Sequence, residues 1–267
     1  MAGNKSSKYA AIMEEIFLAA YKSGMSKVPF SRDAIIECAH KLDISVPKNI
    51  GDVVYSFRYR AALPEAIQET APDDMEWVII GTGSANYEFR LTNTANILPN
   101  PNMETISIPD NTPEIISFYQ LSDEQSLLCK LRYNRLIDIF LGLVSYSMQN
   151  HLRTQVSGIG QIEIDELYVG VNKKGQHFII PVEAKVGRDM VGMVQLMQDI
   201  EYCRQSFPDL ICIPLAVHKM DHETLCLFRL TLDDDTVRIV DEKHYKLLLS
   251  KEIDRKEIIR RNADMTE

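Results

Sequence analysis

Asp165, Glu183 and Lys185 are the residues of this chain whose types and spacing could do chemistry. In residues 161–167, Ile162 and Ile164 alternate with polar positions, and the two-residue period of a strand puts Gln161, Glu163 and Asp165 on one face. In residues 177–185, Val182 and Ala184 alternate with Glu183 and Lys185, so that acid and base share a face too. Residues 172–176 supply a turn with Lys174-Gly175 at its tip, and a hairpin folded there brings Asp165 near Glu183 and Lys185. Two carboxylates can hold one or two Mg2+ ions, which prefer oxygen ligands; the metal acidifies an attacking water and neutralises a scissile phosphate. Lys185 can orient that water or stabilise developing negative charge. A Glu-x-Lys triplet is also common as an exposed cross-strand charge pair. This one ends the apolar run 178–182, where charge in a buried strand is costly without a function.

The elements that must position these residues follow from periodicity. Strand-like runs are expected at 161–167, 177–185, 210–216 and 224–230, with a helix at about 191–206 between the second and third. A helical pattern over 113–146 precedes them, with Leu127, Leu128, Leu131, Leu136, Ile139, Phe140 and Leu143 as core positions. This order describes a mixed α/β (α+β) sheet. Upstream, helices are expected at 9–21, at 33–42 with Ser31 as N-cap, and at 50–62. A hairpin over 76–91 follows, and three helices with a hairpin suggest a winged helix. Residues 92–112 are rich in Asn, Pro and Thr around a short strand-like run at 105–108. The expected division is a winged-helix-like domain at 1–95, a linker at 96–112 and a catalytic domain at 113–267.

Bulk composition narrows the alternatives. With 45% hydrophobic and 25% charged residues the chain is far from the composition of disorder. Its apolar runs fall short of the roughly 20 positions a membrane span needs, and residues 1–8 lack the pattern of a secretory signal, so a cytoplasmic location is expected. Five scattered cysteines, never in CxxC spacing, read as reduced core residues. A net charge of −9 argues against a broad sequence-independent DNA-binding surface, yet it does not say where the cations lie.

Asp165, then Glu183-Ala184-Lys185, then a helix bearing Gln195 and Gln198, resembles the PD-(D/E)xK nuclease superfamily, and more closely the type II restriction endonuclease-like proteins of bacteria. The resemblance extends through residues 133–136, 160–166 and 242–245, and it departs at Ile164, where the motif's name has proline. It implies a restriction-endonuclease-like fold, Asp165 and Glu183 as Mg2+ ligands, Lys185 as the water's partner, and hydrolysis of double-stranded DNA. A homodimer cutting both strands, a partner DNA methyltransferase and a role in restriction or phage defence follow from the same resemblance. Gln195 and Gln198 lie three positions apart on one helix face and could reach the site or the DNA backbone. Glu163 is a candidate additional metal ligand, and Glu124 matches the place where some members contribute another acid.

For DNA contact the third helix offers Lys48, Arg58 and Arg60, and Arg153 flanks the catalytic hairpin. The same helices could instead only pack on the catalytic domain. Gly81-Thr82-Gly83 is expected to be a turn and not a nucleotide loop. His218, Asp221 and His222 have a metal-like spacing without a convincing fourth ligand. A repair or recombination nuclease, or a DNA-binding regulator with a silent site, are the alternative functions.

Overall fold

The computed structural model describes residues 2–46, 49–59, 61–73, 75–92, 96–119, 123–186, 191–221, 223–233 and 236–263. It has mixed α/β architecture of the α+β class. The first unit runs α1 (Ala2–Ala20), β1 (Lys27–Ser31), α2 (Arg32–Lys41), α3 (Gly51–Tyr59), α4 (Glu65–Gln68), β2 (Glu76–Gly83) and β3 (Asn86–Thr92). The Ser31 hydroxyl accepts from the Ala34 N–H at 3.3 Å, so the expected cap of α2 is present. The strand β1 was not expected; it pairs with β3, giving the antiparallel order β1-β3-β2. Phe17 packs edge-to-face on Trp77 and Phe89 in the buried core beneath this sheet.

The remainder carries β4 (Asn96–Ile97), β5 (Thr105–Pro109), α5 (Glu114–Tyr119), α6 (Glu124–Tyr133), α7 (Leu136–Leu141), β6 (Val144–Val156), β7 (Gly160–Val171), β8 (His177–Val186), β9 (Val191–Gly192), α8 (Met193–Ser206), β10 (Ile211–Cys212), β11 (Leu215–Lys219), β12 (Thr224–Asp233), β13 (Thr236–Leu248) and α9 (Arg255–Ala263). Its main sheet has the order β5-β13-β12-β11-β8-β7-β6, with β10 also on β8, and β4 pairs with β9. β8 lies between antiparallel β7 and parallel β11, and it is buried on both faces from Phe178 to Ala184. The core of α6 against this sheet joins Leu127, Leu128 and Leu131 to Ile180, Val182 and Ala184.

Three expectations need correction. The helical span 113–146 is three short helices, because Arg135 and Gly142 take the left-handed conformation at either end of α7, and Val144 already begins β6. The stretch 96–112 is not only a linker, since β5 runs parallel to β13 at the edge of the main sheet. The third expected strand is two pieces, β10 and β11, either side of Pro214. The hairpin of β7 and β8 turns where expected, with Gly175 at φ 73° donating its N–H to the Asn172 carbonyl at 2.9 Å. Among the described residues no helix is long and apolar enough to cross a membrane.

The two units meet at Gly81, where a Cβ would stand 2.8 Å from the backbone carbonyl oxygen of Ile159 in the β6–β7 turn. That contact cannot be relieved by rotating a side chain. Gly81→Ala is expected to lower the melting temperature by about 4–8 °C, the cost of forcing a methyl group into a filled space. A thermal melt followed by circular dichroism checks it.

Candidate active site

Registered pairing of β7 with β8 stops at Glu166 opposite Val182. One position further on, the Asp165 carboxylate accepts the Ala184 N–H at 2.9 Å and is thereby fixed beside Glu183. Lys185 reaches into the same space: its Nζ lies 3.7 Å from Glu183 Oε2, 4.0 Å from Asp165 Oδ2 and 3.4 Å from Glu124 Oε1 at the start of α6. The three residues expected to act together are therefore adjacent, and Glu124 joins them.

A fourth acid was not expected. Asp199 of α8 is fully enclosed and faces the equally buried Glu183, and among the described residues no group other than the partner acid donates to either carboxylate. Two facing acids with no other donor are satisfied only by a proton shared between them or by a cation. Burial, followed by the negative charge of Asp199 and Asp165, holds Glu183 well above the ordinary carboxylate range, and burial holds Asp199 up likewise. Burial by itself would pull the Lys185 ammonium down, but Glu183, Asp165 and Glu124 outweigh it and raise it above an ordinary lysine. Lys185 is thus a fixed positive charge at neutral pH. It can orient or stabilise, but it is not a proton acceptor there.

Asp199 had a legible signal, because it falls on the apolar stripe of α8 between Leu196 and Cys203, where an acid needs a reason. On the same helix Gln195 and Gln198 line a cleft of about 900 Å³ that also contains Asp165, Lys185 and Glu124. Gln198 is buried, so its side chain sits at the base of that cleft and not on a solvated helix face. The opposite wall comes from the first unit and includes Tyr55, Phe57 and Arg58 of α3. Arg153 and Glu163 lie in this cleft as well, but Glu163 has partners of its own, the Arg153 guanidinium at 3.1 Å and the His151 ring at 3.0 Å. Lys48 and Arg60 lie outside the described residues.

Glu166, on the other face of β7, is held by the Ser147 hydroxyl and by Arg132 at 3.5 Å. This pair anchors the end of α6 to the strand that carries Asp165. Of the other sequence features, Gly81 to Gly83 belong to the β2–β3 hairpin, and Asp221 accepts the N–H groups of Glu223 and Thr224 at 2.8 and 2.7 Å as a turn cap. His222 is outside the described residues.

Among the described residues, one group of metal-binding side chains has its ligand atoms within 4.8 Å of one another: Cys226, Glu242 and His244. It could hold a metal ion, and nothing in it selects Mg2+. The acids around Glu183 do not close to that spacing. The chain matches no protein-family model, no curated protein and no solved structure. The chemistry of the site must be judged from its own geometry.

Asp199 and Glu183 form one buried acid pair, and each adds to the cost of ionising the other. Asp199→Asn would supply an amide donor to Glu183 and remove one negative charge from the pair. The expected result is a folded protein whose melting temperature varies less with pH than the wild type's, read from melts over a pH series in chelator.

Proposed function

We propose that this chain is a Mg2+-dependent endodeoxyribonuclease that hydrolyses phosphodiester bonds of double-stranded DNA as a restriction or phage-defence enzyme. The observation that carries the reading is the facing pair of buried carboxylates, Glu183 and Asp199, behind Asp165 and the charged Lys185, which line a cleft. Such a set fits a small divalent cation, because all of its ligands are oxygens and its surplus negative charge has no other counterion but lysine. Asp165 and Glu183 would hold Mg2+, which supplies an acidified water and neutralises phosphate charge.

The chain's own groups do the rest. Lys185, kept cationic by three carboxylates, orients the incoming water and balances charge building on the phosphate. Gln195 and Gln198 present amides to the same cleft, and Arg58 and Arg153 give it two phosphate-binding cations from opposite units. Alternation of helices with the order β1-β3-β2 supports a winged-helix reading of the first unit, with α3 as the DNA-facing helix. The hairpin of β7 and β8, flanked by α6 and α8, supports a restriction-endonuclease-like second unit. Cutting both strands of a symmetric site calls for a homodimer, and a defence role calls for a methyltransferase that protects the host's own DNA.

The test is incubation of purified protein with unmethylated plasmid, phage DNA, single strands and branched junctions, with Mg2+ or with chelator. Discrete Mg2+-dependent fragments from the duplexes support this reading. Cleavage confined to junctions would favour a structure-specific repair enzyme, and binding to every substrate without cleavage would leave a silent regulator.

A further inference from the structure

Away from the nuclease acids, the sheet carries a second set of ligand-type side chains. Cys226 of β12 stands directly opposite His244 of β13, and Glu242, two positions earlier, shares the face of His244. Cys226 is fully buried and His244 nearly so. Glu242 Oε1 is 2.8 Å from His244 Nε2 and 3.6 Å from Cys226 Sγ. A tetrahedral zinc with ordinary bond lengths would set the oxygen about 3.4 Å from the nitrogen and about 3.6 Å from the sulfur. The Glu242–Cys226 separation already matches, and binding asks Glu242 and His244 to part by about 0.6 Å. The Asn100 N–H donates to the same Glu242 oxygen at 2.7 Å, which fixes the carboxylate's orientation from outside the group.

We infer that Cys226, Glu242 and His244 form a binding site for a divalent transition metal of the zinc class, separate from the Mg2+ site of the proposed nuclease. The ligand chemistry selects the ion. Sulfur and imidazole favour zinc, cobalt or iron over magnesium, which takes oxygen ligands. A thiolate and a carboxylate balance the two positive charges of the ion, so the buried site is neutral when filled. Its place in the fold gives it a structural task. The ion would clasp β12 to β13 and, through Asn100, hold the segment that joins the two units onto the sheet. The inference does not rest on nuclease activity.

The test uses the full chain, stripped of metal under reducing conditions and titrated with Co2+ alone. The expected result is a near-ultraviolet thiolate-to-cobalt charge-transfer band that saturates at one equivalent per chain, with the visible bands of tetrahedral cobalt, both displaced by Zn2+ and neither by Mg2+. Cys226→Ser should lose the charge-transfer band, and Glu242→Gln should raise the Co2+ concentration that half-saturates it at least tenfold, while Asp165→Asn leaves the band and its half-saturation unchanged. Zn2+ should raise the melting temperature of the stripped protein by about 5–10 °C. The inference is overturned if the wild-type chain shows no thiolate band at saturating Co2+, or if the band survives in Cys226→Ser. It is equally overturned if Asp165→Asn abolishes the band. Should Cys226→Ser fail to fold, Glu242→Gln decides, because unchanged affinity there contradicts a three-ligand site.

Discussion

Lys185→Ala is expected to slow Mg2+-dependent cleavage by about 10²–10³-fold while leaving DNA binding nearly intact, the range set by loss of one positioned charge. The side chain is 14% exposed, with Nζ within 4.0 Å of Glu183, Asp165 and Glu124. It is therefore held where the acids are, and its loss is felt in the reacting step more than in substrate affinity. Lys185→Arg should recover little, because a planar guanidinium cannot replace a compact ammonium among three acids. Single-turnover cleavage with excess enzyme, beside equilibrium DNA binding, separates the two effects. Cleavage by Lys185→Ala within threefold of wild type would remove Lys185 from the chemistry.

Glu183→Gln should move activity and stability in opposite directions: cleavage is lost, while the metal-free protein melts roughly 2–6 °C higher. The buried carboxylate is raised above its ordinary value of 4.5, first by burial and then by Asp199 and Asp165. A raised acid contributes its stability fully below the unfolded value and loses it as pH climbs through the folded one. The metal-free wild type should thus lose stability as pH rises above about 4.5, and Glu183→Gln should flatten that decline. Saturating Mg2+ should narrow the gap by stabilising only the wild type. Melts over a pH series with chelator and with Mg2+ measure all three effects. A wild-type melting point that climbs with pH where the variant's does not would contradict the carboxylate arrangement.

What the sequence made legible was local. Alternation in residues 161–167 and 177–185 predicts a hairpin register, and the turn at Gly175 fixes it, so Asp165, Glu183 and Lys185 meet as expected. The edge strand β6 escaped notice because its outer stretch from Tyr146 to His151 is exposed and carries no alternation to read. β13 was missed for a different reason: charges at Asp241, Glu242 and Lys243 interrupt the apolar positions whose burial only the neighbouring strands explain. Asp199 faces Glu183 because α8 crosses the sheet, a packing relation that no spacing along the chain encodes. Cys226 and Glu242 are 16 positions apart and become neighbours only through the β12–β13 register. Asp199, Cys226 and Glu242 depend on long-range packing, whereas Asp165, Glu183 and Lys185 lie within a single hairpin.

The most direct test of the central claim is the fate of supercoiled plasmid DNA incubated with wild-type protein and with Asp165→Asn, each with Mg2+ and with excess chelator. The site described here predicts nicked and linear DNA only from the wild type with Mg2+. Equal cutting by Asp165→Asn, or cutting that persists in chelator, would contradict it.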